Sequence, residues 1–184
     1  IEIILGCVHR YSQRPDVHKR IKINFVGSGE PLLSWDAIRT AVHRFQSANP
    51  EHRLRFYTVT NGILLNQRIA AEMRELGLTP SVSLDGPKDL HDHHRKKHGG
   101  QGTFHQVLRG IEVLRTEGFS VAINTVLTRE LLRHLPEFFS FAKEHQLHKI
   151  IFDRLVDVPA DQNPLSYAEF YRALRHIAEL KEAM

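Results

Sequence analysis
Cysteine is almost missing from this sequence: of 184 residues, only Cys7 carries a thiol. One thiol excludes an internal disulfide framework and fits a reducing compartment, read here as the cytoplasm. It also cannot hold a zinc or iron–sulfur site alone, and it is read as a small buried side chain. Long apolar runs are missing too, so no membrane span is expected. The apolar residues 1–5 have no basic leader before them, so no signal peptide is expected either. Charge of one sign is scarce: the net value is +4, too mild an excess to argue for a nucleic-acid partner. Thirteen histidines make that charge strongly pH-dependent. With 41% hydrophobic and 25% charged residues, the composition is that of an ordinary globular domain with a substantial core. The sequence opens on Ile1 and stops within helical character at Met184, so it reads as a piece of a longer chain.

What is present is an alternation. Strand-like runs are expected at 1–5, 21–26, 54–59, 79–84, 121–127 and 149–152. Between them lie helical stripes: Trp35, Ile38, Val42 and Phe45; Ile69, Met73 and Leu76; Phe104, Val107, Ile111 and Leu114; then Phe170, Leu174 and Ile177. Ser34, Asn66, Thr103 and the Ser166/Glu169 capping box mark helix starts. Pro136 sits in the first turn of a helix to about His145, and Asn49-Pro50, Gly77 and Gly118 mark helix ends. Residues 6–20 and 85–102 read as loops. Six strands alternating with helices imply an α/β domain with a parallel sheet, either open and doubly wound or curved into a barrel.

The turns after the strands hold the chemistry. Gly27-Ser28-Gly29-Glu30-Pro31 lacks the third glycine and the downstream acid of a dinucleotide fingerprint, and it lacks the Gly-Lys-Ser/Thr end of a phosphate loop. Glu30 would repel a phosphate. Beside free backbone groups it suits an ammonium, such as the amino group of an amino acid; the plainer reading is a tight turn whose glutamate faces water. Asn61, in Thr60-Asn61-Gly62, is either a turn residue or a ligand contact. Ser83 could donate to a carboxylate or a ribose hydroxyl, and Asp85-Gly86-Pro87 again reads as a turn. In the polar stretch His91 to His98, adjacent side chains rarely converge on one ion and Lys and Arg oppose it, so no metal ligand is assigned. Arg95 is the candidate anion clamp, because a guanidinium reads a carboxylate through two parallel hydrogen bonds. Asp153 and Arg154, at the end of the sixth strand, are the best unassigned pair on the same rim, or else a surface ion pair.

In order and spacing, these motifs resemble the radical S-adenosylmethionine (SAM) enzymes, and within them the peptide- and protein-modifying branch that includes anaerobic sulfatase-maturating enzymes. The carrying residues are Ser28-Gly29-Glu30-Pro31-Leu32-Leu33, Thr60-Asn61-Gly62-Ile63-Leu64-Leu65, Ser83-Leu84-Asp85-Gly86-Pro87, His91-Asp92 with Arg95, and Gly102-Thr103-Phe104 with Val107, Gly110, Ile111 and Leu114. The resemblance implies a partial (β/α)6 barrel, incomplete at its N-terminus, over the single domain 1–184. A segment between about 7 and 21 and a C-terminal auxiliary domain are expected to be missing. It implies SAM and a four-iron–four-sulfur cluster as cofactors, and a 5′-deoxyadenosyl radical that acts on a peptide or protein. A reductant such as flavodoxin or ferredoxin is implied as partner. Ser28, Gly29 and Glu30 are expected at the methionyl amine, Ser83 and Arg95 at its carboxylate or the ribose, with Asn61 and Asn124 on neighbouring strand ends. No catalytic acid or base is assigned. The cluster's Cys-x-x-x-Cys-x-x-Cys pattern is met only at Cys7, since Tyr11 and Arg14 hold the other two places. A non-catalytic barrel that binds a peptide or nucleotide is therefore the alternative.

Overall fold
The computed structural model describes residues 6–8, 10, 11, 14, 21–27, 29–48, 54–147, 149–156 and 164–183. Five parallel strands form one sheet in the order of the chain: β1 Ile21–Phe25, β2 Leu54–Thr60, β3 Leu78–Ser83, β4 Ala122–Val126 and β5 Lys149–Asp153. A 3-10 turn, Pro31–Ser34, leads into α1, Trp35–Ala48. Helix α2 is Gln67–Glu75; α3, Lys88–His94, and α4, Phe104–Thr116, both lie between β3 and β4. Helices α5, Arg129–Arg133, and α6, Leu135–Glu144, precede β5, and α7, Tyr167–Ala183, follows it.

Strand order settles the architecture. A doubly wound sheet reverses its direction at a switch point. Here every crossover steps the same way, and right-handed crossovers that all step one way put their helices on one face. Burial along β2 agrees: Leu54, Phe56, Thr58 and Thr60 are buried, whereas Arg55 is exposed and Tyr57 and Val59 are half-buried. A parallel sheet covered on both faces would not alternate like this. The covered face packs Leu54, Phe56, Leu78, Val82 and Ile123 into one core with Ile38, Val42, Phe45, Ile69, Met73, Ile111, Leu114 and Phe138. The opposite face is mixed, with polar pairs toward the strand ends: Asn24 lies beside Tyr57, Ser83 beside Asn124, and Asp153 beside Val126. That is the arrangement of a partial barrel seen from inside.

Glycine matters most where α4 meets the turn after β2. A β-carbon on Gly110 would overlap the Gly62 carbonyl oxygen, and Gly62 itself has φ 77°. The two glycines let helix and turn approach to backbone contact.

The helical stripes, the strand centres, the Asn66 cap (Asn66 Oδ1 accepting from Ile69 N at 3.0 Å) and the Ser166/Glu169 box stand as the sequence reading has them. Other expectations are corrected. The stretch 85–102 is not a loop throughout, since it carries α3 and a bridge between Lys96 and Gly102. Gly6, Cys7, Val8, Arg10 and Tyr11 are helical rather than looped. Short α5 was not anticipated, because five residues cannot display a period. Ser34 ends the 3-10 turn, and Glu30 caps that turn instead. Thr103 stands at the start of α4 without capping it; the Phe104 N–H is taken by Asp92 Oδ1 at 2.9 Å. The expected strand at 1–5 and the Asn49-Pro50 stop lie outside the described residues.

Candidate functional site
Glu30 lies just past β1 and ties it to β2. Its Oε1 accepts from Leu32 N at 3.1 Å and from Thr60 Oγ1 at 2.6 Å, and its Oε2 accepts from Asn61 N at 2.7 Å. The carboxylate is therefore not simply water-facing: it braces the two turns while still lining the cavity described below. Of about four lone-pair sites on a carboxylate, three are used and one remains. Thr60 Oγ1 also accepts from Gly62 N at 3.1 Å, and Asn61 Oδ1 accepts from Ile63 N at 3.0 Å. Asn61 is therefore a turn residue whose side-chain amide nitrogen is left over.

The opposite wall is built around Arg95. Asp85, buried at the end of β3, accepts from Val126 N through Oδ1 at 2.9 Å and from Arg95 Nε through Oδ2. Arg95 also donates its backbone N–H to the His91 carbonyl at 2.9 Å, and its own carbonyl accepts from Thr103 Oγ1 at 3.1 Å. Fully buried His91 completes the ring: Nδ1 accepts from Asp85 N at 3.3 Å, and Nε2 lies 3.0 Å from Thr103 Oγ1. The Thr103 proton is committed to Arg95, so Nε2 is the donor and His91 is the neutral Nε2–H tautomer. Burial drives its pKa down to about 4, with Arg95 adding to the fall and the carboxylates of Asp85 and Asp92 opposing it. Burial by itself would raise the pKa of Asp92, but the Phe104 N–H and Lys88 outweigh it and the net direction is down. Gly102 is required beside this cap, because a β-carbon there would overlap the Asp92 carboxylate.

Between the two walls lies a cavity of about 540 Å3, lined by Gly29, Glu30, Asn61, Ser83, Arg95, Asn124 and Asp153, among others. The candidate residues proposed from sequence thus meet at one place, except Ser28, which lies outside the described residues. Asn124 donates from Nδ2 to Asp153 Oδ2 at 3.0 Å, while its Oδ1 is buried with no hydrogen-bond partner among the described residues. A buried orphan acceptor lining a cavity marks where a ligand donor fits. Arg154 does not join Asp153. Its guanidinium lies 3.9 Å from the Tyr167 ring centre and donates to the Leu165 carbonyl at 3.1 Å, so neither the rim pair nor the surface ion pair is formed. Sequence reasoning missed the supporting set of Thr60, Asp85, His91 and Thr103. Asp85 had a visible signal, a carboxylate at a strand end, but nothing local named Arg95 as its partner.

Polar groups of both kinds line this cavity: a guanidinium, a serine hydroxyl, an orphan amide oxygen and a carboxylate with one free lone pair. That donor set fits the amino-acid end and ribose of SAM. A four-iron–four-sulfur cluster is not fitted by the residues present. Cys7 is exposed, not buried as expected, and accepts from Arg10 Nη2 at 3.7 Å. At the other two ligand spacings stand Tyr11, half exposed, and Arg14, whose guanidinium lies 5.8 Å from the Tyr11 ring centre. A phenol and a guanidinium do not replace two thiolates.

Residues 13–142 match the protein family described as the radical SAM superfamily. Among curated relatives, the chain is 27% identical over 167 residues to the Fe-coproporphyrin III synthase of Methanosarcina barkeri, covering 83% of this chain and 41% of that protein. It is also 27% identical over 156 residues to a cysteine-type anaerobic sulfatase-maturating enzyme of Clostridium novyi, covering 79% and 42%. Among solved structures, native anSMEcpe with bound AdoMet and a peptide superposes with a TM-score of 0.72 at 25% identity, covering 82% of this chain and 42% of that one. The chain therefore spans less than half the length of these relatives. No helix among the described residues is long and apolar enough to cross a membrane.

Proposed function
The chain belongs to the radical SAM superfamily, whose cofactors are SAM and a four-iron–four-sulfur cluster, and on that premise we propose that it is the core of an enzyme that holds SAM between Glu30 and Arg95 and modifies a peptide or protein. One observation carries the reading: Glu30, Asn61, Ser83, Arg95 and Asn124, from separate turns, strands and a helix end, line a single cavity. In this reading the spare lone pair of Glu30, with the backbone of Ser28 and Gly29, receives the methionyl ammonium. Arg95 presents its terminal amino groups to the carboxylate, since Nε is committed to Asp85. Ser83 donates to the carboxylate or the ribose, and Asn124 Oδ1 accepts from a ribose hydroxyl. Asn61 offers its amide nitrogen at the neighbouring strand end. When bound, SAM supplies a sulfonium bond whose one-electron cleavage is the family's source of a carbon radical. The electron would come from a flavodoxin or ferredoxin, in keeping with a cytoplasmic setting. The peptide substrate is supported by the sulfatase-maturating relative and the peptide-bound neighbour.

The test is anaerobic calorimetry of SAM with the full-length protein. Arg95→Ala is expected to weaken binding by about ten- to a hundredfold, the value of one or two charge-assisted hydrogen bonds. Arg95→Lys should recover part of that loss, because it restores the charge without the fork. Unchanged affinity in both Arg95→Ala and Ser83→Ala overturns the site. Iron and sulfide analysis of the same protein tests the radical part separately: no iron after reconstitution overturns it.

A further inference from the structure
A second cavity, of about 690 Å3, shares Arg95 with the first. His93, His94 and Glu130 line it, and their ligand atoms all lie within 4.8 Å of one another. We propose that these three side chains form a binding site for one divalent cation of the zinc class, separate from the radical cofactors and independent of the SAM reading.

The two histidines are adjacent in the chain, yet their rings stand close together. On a regular helix, neighbours point about 100° apart. Helix α3 ends at His94, and Arg95 is already extended, with φ −112° and ψ 93°. The two imidazole centres stand 4.7 Å apart with their planes at 90°. Glu130, in the first turn of α5, brings its Oε2 to 3.8 Å from His94 Nε2. That separation is too long for a hydrogen bond, but it suits two ligands of one ion. With bonds of about 2.0–2.1 Å, tetrahedral ligands stand roughly 3.3 Å apart. Small rotamer adjustments at exposed side chains close the difference.

The donor types select the ion. Two imidazoles and one carboxylate suit zinc and similar metals, whereas magnesium and calcium want oxygen throughout. Three protein ligands leave a fourth position for water or for a carboxylate of whatever enters the cavity. His93 and Glu130 also line a neighbouring cavity with His134 and Glu137, which offer further donors on the same ridge. Two of the nearby cations are already paired: Lys88 lies 3.2 Å from Asp92, and Arg129 meets Glu169 through two hydrogen bonds of 2.7 and 2.9 Å. From sequence no metal is assigned to 91–98, because adjacent side chains rarely converge on one ion and the nearby Lys and Arg charges oppose it. That the third ligand arrives from α5 is not visible there.

The test is titration of the tag-free full-length protein with Zn2+ against a chromophoric indicator. His94→Ala and Glu130→Gln are each expected to remove one equivalent, or to weaken it by at least about tenfold. His43→Ala, on the exposed face of α1, is expected to change nothing. Co2+ at the same site is expected to show visible ligand-field absorption that His94→Ala removes. Equal stoichiometry and affinity for wild type, His94→Ala and Glu130→Gln would mean scattered surface histidines only and would overturn the site. So would the absence of any tight equivalent in wild type.

Discussion

The two walls of the smaller cavity are held by opposite devices. On the β1–β2 side an anion is at the centre: Glu30 collects two backbone N–H groups and a threonine hydroxyl, all neutral donors. On the β3–β4 side a cation is at the centre: Arg95 is held by a buried carboxylate, while the His91 carbonyl and the Thr103 hydroxyl fix its backbone. The first device is assembled from short turns whose hydrogen bonds are mostly only partly buried. The second reaches into the core through Asp85 and His91. The difference teaches where fragility should lie: neutral donors can turn to water if their acceptor is lost, whereas a charge left without its counterion inside the protein cannot.

The largest effect is therefore expected at Asp85. Asp85→Ala strands the Arg95 guanidinium and the Val126 N–H, and should cost about 3–4 kcal/mol in denaturant unfolding, somewhat less than a fully buried pair because Arg95 is partly exposed. A loss below about 1 kcal/mol would erase the contrast between the walls. Next is the pH response of His91. Its folded pKa of about 4 lies below the ordinary 6.5, so between these values the unfolded chain binds the extra proton. Stability is then full above about pH 6.5 and falls as pH drops toward 4, by about 3 kcal/mol in all. His91→Gln should flatten that part of the stability profile; an unchanged slope would place the titration elsewhere. Glu30→Ala should cost less, about 2 kcal/mol, and Glu30→Gln less again, since the amide oxygen still accepts. The smallest effect is expected at Asn61→Ala, about 1 kcal/mol, because only the Ile63 N–H loses its acceptor and it sits near solvent. If Asn61→Ala proved as costly as Asp85→Ala, the β1–β2 wall would not be the yielding one.

Much of the fold was legible beforehand because its signals are local. The stripe Trp35, Ile38, Val42 and Phe45 needs only one helix to be recognised, and Asn66 caps a residue three positions away. The set Gly29, Glu30, Asn61, Ser83, Arg95 and Asn124 was legible as candidates, since Gly29, Glu30, Asn61 and Ser83 end a strand or follow one, Asn124 lies in one, and Arg95 is the guanidinium of the polar stretch after β3. What each does was not. Glu30 reads from sequence as ligand-facing or water-facing, but its partners in the fold, from its own turn and from the next strand end, are not visible there. Arg95 was read as an open clamp, whereas one of its nitrogens already belongs to Asp85. Helix α3 is hidden because Lys88–His94 carries a single apolar residue, Leu90, and one residue shows no apolar period.

Composition and periodicity by themselves determined the alternation of strand and helix, the parallel sense of the sheet and the positions of the turns, because backbone preference and apolar spacing act over a few residues. Only the tertiary structure decided that the helices share one face, that Asp85, His91 and Thr103 hold Arg95, and that Asn124 presents a buried oxygen without a partner among the described residues. These depend on pairings between segments tens of residues apart, whose energies arise only after the strands have lined up side by side.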